Sequence, residues 1–220
     1  MKRFLGIFIA TILYLLAVGN FVFLQYRLQS SFEQTQERLK LIAANAALSI
    51  DVEALQKVPL EQRGEGTAEY QSIAQKLIMI KKINPTLKYV YIMTATNQPG
   101  ILQYVVDADP LPQIITARCP TALPGDKYDA RELPDLINAY DRPTADRKVT
   151  TDVWGTFISG YAPIQDVFGK TVGILGVDTD AAWVGRMQNK INLAGRLALG
   201  AGFLFILSFI ISIIRRRVIS

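Results

Sequence analysis

The sequence contains no histidine and a single cysteine, Cys119. Without histidine, the chain cannot form a Ser-His-Asp triad, a Cys-His pair or a His-ligated metal site. One cysteine allows no disulfide within the chain. The sequence also has no Gly-rich loop of the kind that binds phosphates. These absences disfavour an enzyme, and we expect neither a cofactor nor a metal ion in this chain.

The basic excess of the sequence lies at its two ends. The formal net charge is +5. Residues 25–195 hold 18 basic and 19 acidic residues, so this long middle region has a net charge of −1. A basic surface for nucleic acid is therefore not expected.

Two apolar stretches flank the middle region. Phe4–Leu24 is a run of 21 residues without a charge, and Leu197–Ile214 is a second run of 18 residues. At about 1.5 Å per residue, a helix of either length matches the ~30 Å hydrocarbon core of a bilayer. We predict transmembrane helices over residues 4–24 and 196–214.

The flanking charges predict the topology, because lysine and arginine beside a span stay on the cytoplasmic side. Residues 1–3 and 215–220 are then cytoplasmic, and residues 25–195 form one periplasmic or extracellular domain of a two-pass inner (plasma) membrane protein. A cleaved signal peptide ending near Ala17-Val18-Gly19 is the alternative for the first span. The uncharged run exceeds the usual 7–15-residue signal core, which favours the span.

Helical spacing of apolar residues predicts an amphipathic helix over residues 25–50, continuing out of the first span, and a second helix over 68–83. The first helix covers the core, and its outer stripe is expected to pair with a second protomer. Residues 111–128 contain three prolines and are expected to form a loop over a sheet. Asp129 is placed to cap a short helix over 129–140. The predicted strands are Lys88–Ala95, Ile101–Asp107, Val149–Trp154, Phe157–Gln165 and Thr171–Asp178.

Alternation along these strands gives the sheet two different faces. One face is aliphatic and suited to packing beneath the long helix: Val90, Ile92, Val105, Ile158, Leu175 and Val177. The other is aromatic and polar: Tyr89, Tyr91, Met93, Tyr104, Ser159, Tyr161 and Asp178, with Asp152 and Trp154 on the neighbouring strand. The second face predicts a small-molecule pocket, although tyrosines covering a solvated sheet face remain an alternative.

Two pairs of acids also stand at i and i+2, namely Asp107 with Asp109 and Asp178 with Asp180. Such pairs can bind Ca²⁺ or act as acid and base. Acids exposed at strand ends are the commoner case, and no further run of oxygen ligands surrounds either pair.

The C-terminal half resembles a known family. Residues 154–164 read WGTFISGYAPI, followed by Asp166, Gly169-Lys170 and GILGVD at 173–178. Together with Tyr89-Val90-Tyr91 and residues 104–109, this pattern resembles the Cache (PAS-like, PDC) extracellular sensor domain of bacterial transmembrane receptors, in its single-Cache form. The resemblance implies a long N-terminal helix on a five-stranded antiparallel sheet, an α+β fold lying here between two transmembrane helices.

The resemblance also implies a dimeric receptor of the histidine kinase, chemoreceptor or cyclic-nucleotide cyclase or phosphodiesterase type. The Arg-x-Trp-Tyr element of amino-acid-binding members is missing around Trp154, so an amino-acid ligand is not expected. After Arg217 only three residues remain before the sequence ends at Ser220. We therefore expect either the input half of a longer receptor or a sensor that acts through a cytoplasmic partner.

The leading hypothesis is a membrane-anchored input module that binds a small extracytoplasmic molecule and passes a helix displacement through the membrane. The alternative is a membrane adaptor that uses the same fold to hold a protein partner. Arg118, Lys127 and Arg131 are candidates for binding an anionic group of the ligand, such as a carboxylate. The other candidate ligand-binding residues are Tyr91, Tyr104, Tyr128, Trp154, Ser159, Tyr161 and Asp178.

Overall fold

The structure is a computed structural model that describes residues 2–108 and 122–219. The chain divides into two compact units, Glu33–Ala182 and a pair of segments, Met1–Phe32 with Trp183–Ser220. The helices are α1 (Lys2–Ala47), α2 (Val52–Lys57), α3 (Ala68–Ile83), α4 (Pro134–Asn138) and α5 (Ala182–Ile219), with a 3-10 helix at Gln62–Gly66. The strands are β1 (Leu87–Ala95), β2 (Ile101–Asp107), β3 (Lys127–Asp129), β4 (Thr144–Ala145), β5 (Thr150–Asp152), β6 (Gly155–Gln165) and β7 (Thr171–Asp180).

The two terminal segments form a unit of apolar helix. Two helical ranges, Leu5–Ala47 and Ala182–Ile211, are long and apolar enough to cross a membrane by length and composition. Their most apolar windows are 0% and 6% buried, unlike the core helix of a soluble protein. A signal sequence near the N-terminus passes the same test for the first helix. Within this unit the rings of Tyr14 and Phe205 stack with centroids 6.0 Å apart.

The sheet is antiparallel and has the strand order β3-β2-β1-β7-β6-β4, with β5 also paired to β6. Within residues 2–108 and 122–219 the sheet has seven strands, so the expectation of five was wrong. The five predicted strands are present as β1, β2, β5, β6 and β7, and the two additional strands, β3 and β4, are three and two residues long. Such short edge segments lack the apolar alternation by which a strand is recognised in a sequence.

The helical predictions are confirmed in part. Helix α1 continues without a break to Ala47, and α3 has the predicted bounds, with its first turn capped by the Thr67 hydroxyl, which accepts a hydrogen bond from Tyr70 N at 3.3 Å. The helix expected over 129–140 was wrong in its start. Asp129 ends β3 and binds Arg131, and the short α4 begins at Pro134 without a side-chain cap.

The core lies between the helices and one sheet face. Leu39 of α1 and Leu77 of α3 are almost fully buried. Helix α1 approaches β6 so closely at Gly160 that an added Cβ would lie 2.5 Å from the Leu39 carbonyl carbon. Strand pairing places Val90 opposite Val177 and Ile92 opposite Leu175, as alternation predicts. A bulge between Ile92 and Met93 brings Val106, rather than Val105, opposite Ile92.

Candidate functional site

A cavity of about 50 Å³ lies on the sheet face that carries the tyrosines. We call it the tyrosine cavity. A volume of this size holds only a few water molecules or a small molecule of similar bulk. Its lining residues are Tyr89, Tyr91, Tyr104, Asp107, Ala122, Tyr128, Leu136, Thr150, Asp152, Trp154, Phe157, Ser159, Tyr161 and Asp178.

The wall of the cavity is a continuous set of aromatic rings. Tyr104 is at its centre and contacts Tyr91, Tyr128 and Trp154, with ring centroids 5.7, 6.2 and 6.1 Å away. Tyr128 and Trp154 close the set at 6.2 Å. The three pairs that include Tyr104 are edge-to-face, and such pairs at these separations stabilise the arrangement of the rings.

Strand alternation and one glycine explain how these rings reach the same place. Tyr91 on β1 pairs with Gly176 on β7, and Gly176 pairs in turn with Tyr161 on β6. A Cβ at residue 176 would overlap the Tyr91 ring, so the glycine leaves the space in which that ring lies across the sheet. The GILGVD stretch therefore shapes the cavity through the side chain that Gly176 lacks.

Asp178 is the buried acid of the cavity wall. It lies opposite Ser159 in the sheet and accepts a hydrogen bond from the Tyr91 hydroxyl at 3.1 Å. Burial raises the pKa of Asp178 to about 8, although hydrogen bonds from Ser159 and Tyr91 oppose the shift. A buried carboxylate of this kind gains most from a cationic partner that stabilises its ionised form.

Asp146 is a second buried acid directly beside the cavity. Its carboxylate accepts hydrogen bonds from the Tyr161 hydroxyl at 3.1 Å and from Ser159 N at 3.0 Å. Burial raises the pKa of Asp146 to about 6. Its carbonyl oxygen accepts a hydrogen bond from Gln36 Nε2 of α1 at 2.7 Å. Asp146 was not predicted from the sequence, because it follows a two-residue strand with no apolar pattern.

Asp152 positions the tryptophan of the wall. One carboxylate oxygen accepts hydrogen bonds from Trp154 N at 2.9 Å and Gly155 N at 3.2 Å, which closes the turn between β5 and β6. Gly155 has a φ of +141°, a conformation that side chains other than glycine rarely adopt. The other oxygen of Asp152 lies 3.4 Å from the Tyr128 hydroxyl.

The hydroxyls of the cavity stay protonated at physiological pH. Burial, with neighbouring carboxylates adding to it, raises the pKa of Tyr91, Tyr104, Tyr128 and Tyr161 above the ordinary value. Each of these hydroxyls therefore keeps a proton that it can donate in a hydrogen bond.

The structure brings together seven of the ten predicted ligand-binding residues, namely Tyr91, Tyr104, Tyr128, Trp154, Ser159, Tyr161 and Asp178. Their role in binding stays a prediction. The predicted acid pair at 107 and 109 is half described: Asp107 lines the cavity, and Asp109 is outside the described residues. Within residues 2–108 and 122–219, no group of three or more His, Cys, Asp or Glu side chains could hold a metal ion.

Two of the three predicted anion-binding residues, Lys127 and Arg131, lie outside the cavity. Lys127 precedes Tyr128 on β3, so alternation turns it to the opposite face, where it is exposed. Arg131 forms an ion pair with Asp129, and this hydrogen-bonded partner lowers the pKa of Asp129 to about 2. Arg118 lies outside the described residues.

No protein-family model matches the sequence, and no curated protein matches it. Solved structures do match. The sensor domain of the Vibrio cholerae histidine kinase DctB has a TM-score of 0.53 at 10% identity, over 80% of this chain and 59% of that structure. Residues Glu33–Ala182 of this chain have the fold of a Cache-type sensor domain. The resemblance predicted from the sequence is thus confirmed for the fold.

Two further matches are with sensor domains of the same Cache type. The Escherichia coli DcuS sensor domain has a TM-score of 0.46 at 14% identity, over 73% of this chain and 98% of that one. The ligand-binding domain of the Campylobacter jejuni chemoreceptor Tlp3, in complex with 4-methylisoleucine, has a TM-score of 0.47 at 16% identity, over 80% of this chain. This chain covers 63% of the Tlp3 domain.

Proposed function

We propose that this chain is the ligand-sensing input module of a transmembrane receptor and that the tyrosine cavity binds a small cationic amine. The observation that carries the proposal is Asp178, a buried carboxylate in an aromatic cavity. No lysine or arginine is among the lining residues that the structure describes. An ammonium group is attracted both to a carboxylate and to the faces of tyrosine and tryptophan rings.

The cavity volume restricts the size of the ligand. About 50 Å³ accommodates an ammonium head group with a short carbon chain. An anionic ligand, such as a carboxylate, was expected from the sequence, but no lysine or arginine among the described residues lines the cavity. We therefore propose an amine in place of a carboxylate.

The proposed signal reaches the membrane through both long helices. Strand β7 carries Asp178 and ends at Asp180, and α5 begins at Ala182. The Asp180 carboxylate accepts a hydrogen bond from Ala182 N at 2.9 Å at this junction. Helix α1 is connected to the cavity wall by the hydrogen bond from Gln36 Nε2 to the Asp146 carbonyl oxygen. A ligand that binds one arrangement of β7 and β6 more tightly shifts the population of helix positions by its differential affinity. Membrane anchoring and both cytoplasmic termini are part of this proposal.

Calorimetry with the full chain in detergent tests the ligand class. We expect methylammonium, ethylammonium or propylammonium to bind, and carboxylates of the same carbon number to bind more weakly. Asp178→Asn should lower amine affinity roughly thirtyfold or more, about 2 kcal/mol, because the buried charge pair is lost. Asp129→Asn is the matched control, since Asp129 is exposed and outside the cavity. Carboxylate binding that survives Asp178→Asn while amines fail to bind would disprove the proposal.

One observation favours the adaptor function instead. At about 50 Å³ the cavity is small beside the roughly 300–1,000 Å³ of ordinary ligand pockets, and aromatic rings form much of its lining. If no amine and no carboxylate binds in the same calorimetry, the fold serves to hold a partner protein.

A further inference from the structure

A second cavity adjoins the tyrosine cavity on the side of Asp146. We call it the lateral cavity. Its volume is about 340 Å³, within the roughly 300–1,000 Å³ of ordinary ligand pockets. Glu132 and Lys148 line it and are exposed, so the lateral cavity opens to solvent. Room for a larger ligand therefore lies directly beside the small tyrosine cavity.

The two cavities share a thin wall. Thr150 lines both of them. Asp146 lines the lateral cavity, and its carboxylate accepts the hydrogen bond from Tyr161, which lines the tyrosine cavity. The Thr150 hydroxyl lies 3.4 Å from the other Asp146 carboxylate oxygen, which is long for a hydrogen bond and therefore weak. A small displacement of the Thr150 side chain would join the two cavities.

The buried carboxylates of the two cavities lie close together. The Ser159 hydroxyl is hydrogen-bonded to both Asp178 and Asp146. At ordinary hydrogen-bond lengths, two oxygens bonded to one hydroxyl lie within roughly 6 Å of each other. Burial, and the nearby charge of Asp146 in addition, raise the pKa of Asp178. Two like charges at this separation destabilise each other, and a single ammonium group compensates only one of them.

The other charged side chains of the lateral cavity leave Asp146 as the group that binds a cation. Asp135 is already paired with Arg147, whose Nε lies 3.0 Å from Asp135 Oδ1. Glu132 and Lys148 are exposed, so solvent screens their charges. Asp146 is only 4% exposed, and its charge acts in a medium of lower dielectric constant. The lateral cavity therefore favours a cation beside Asp146 over an anion beside Arg147 or Lys148.

We propose that the ligand is a short aliphatic α,ω-diamine, with one ammonium group at Asp178 in the tyrosine cavity and the other at Asp146 in the lateral cavity. This inference rests on the proposed function, because it adds a second ammonium group to the amine assigned there. Carboxylates within roughly 6 Å of each other match ammonium groups separated by about three or four carbons, at C–C bond lengths near 1.5 Å. The carbon chain would pass beside Thr150.

Calorimetry with the full chain in detergent tests the second ammonium group. We expect α,ω-diaminopropane to bind roughly tenfold or more tightly than propylammonium, which has the same number of carbons. Asp146→Asn should remove this preference. Propylammonium affinity should fall by no more than about threefold in Asp146→Asn, which also reports that the tyrosine cavity is still folded.

Glu132→Gln is the matched control. It removes the same charge from the same cavity, but at an exposed position, and should therefore keep the preference for the diamine. The unchanged chain provides a second test that needs no variant. Affinity should be highest at about three or four carbons and fall roughly tenfold for α,ω-diaminooctane, because the positions of the two carboxylates are fixed. An ω-aminobutanoate, with a carboxylate in place of the second ammonium group, should bind more weakly than the diamine.

Three results would overturn the inference. They are a diamine that binds no more tightly than propylammonium, an equal loss of the preference in Glu132→Gln and Asp146→Asn, and tighter binding of ω-aminobutanoate than of the diamine. Each of these leaves the proposed function standing if propylammonium still binds. If neither propylammonium nor the diamine binds, the proposed amine site is itself wrong.

Discussion

The two faces of the sheet are built from alternate residues of the same strands, yet they differ in chemistry. On the helix side Val90, Ile92, Leu175 and Val177 are fully buried and carry no polar atoms. On the cavity side, the neighbouring positions hold tyrosines, a serine and Asp178. Burying hydroxyls and carboxylates costs free energy unless each is hydrogen-bonded. The helix face therefore stabilises the fold, whereas the cavity face holds buried polar groups that lower its stability.

The largest expected effect is a loss of stability without a loss of ligand affinity, caused by a substitution on the helix face. Leu39→Ala should lower the free energy of unfolding by about 2–5 kcal/mol, because Leu39 is 2% exposed and the truncation leaves a cavity in the core. Thermal unfolding of the full chain, followed by circular dichroism, measures the change. Leu41→Ala on the same helix is the control, since Leu41 is 59% exposed.

Amine affinity in Leu39→Ala should stay unchanged at temperatures where the variant is folded. A loss of affinity as large as that of Asp178→Asn would show that the helix face also shapes the cavity. The separation of roles between the faces would then be wrong.

The sequence predicted the parts of the site that depend on local alternation. A period of two places Tyr89 and Tyr91 on one face of β1, whatever the neighbouring strands are, and the same holds for Ser159 and Tyr161 on β6. The turn at 166–170 was also predictable, because Asp and Gly chemistry is local.

The missed features depend on contacts between distant residues. Asp146 becomes part of the site only because β4 pairs with β6 beside Tyr161. Gly160 and Gly176 matter through the Leu39 backbone and the Tyr91 ring that approach them. Asp129 was expected to cap a helix, and its pairing partner Ile101 on β2 instead makes it the end of a strand. No short-range pattern in the sequence reports such pairings.

The buried acids of the cavity face should make the stability of the fold depend on pH, which the apolar helix face cannot do. The pKa of Asp178 is 3.8 in an unperturbed carboxyl and about 8 in the fold, so the folded chain binds more protons between these values. The contribution of Asp178 to the free energy of unfolding should therefore be complete below pH 4, fall as the pH rises toward 8, and stay constant above it. Asp146 acts in the same direction up to about pH 6. At about 1.4 kcal/mol per pKa unit, we expect a total decrease of several kcal/mol.

Unfolding of the full chain between pH 4 and pH 9 measures this decrease. Asp178→Asn should flatten the profile above pH 6, where Asp146 no longer contributes. Amine binding should have the opposite slope, strengthening as Asp178 ionises and releasing a proton below pH 8. A profile that is identical in Asp178→Asn and the unchanged chain would place the titrating group elsewhere.

The smallest expected effect tests whether the cavity face communicates with α1. Gln36→Leu removes the donor to the Asp146 carbonyl and should cost only about 1 kcal/mol of stability, because one hydrogen bond is lost. Amine affinity should stay within roughly twofold, since Gln36 does not line the cavity. The expected change is in the coupling between the cavity and α1. Amine binding should alter the amide hydrogen exchange of α1 in the unchanged chain, and it should no longer do so in Gln36→Leu.

The matched control for coupling is again Leu41→Ala, which leaves the Gln36 contact in place. Because Asp146 binds Tyr161 through its carboxylate and Gln36 through its carbonyl, a shift of Tyr161 on ligand binding reaches α1 without passing through the apolar helix face. If the exchange response to the amine survives in Gln36→Leu, the aliphatic packing between α1 and β6 transmits the signal instead. The two faces would then share the sensing role rather than divide it.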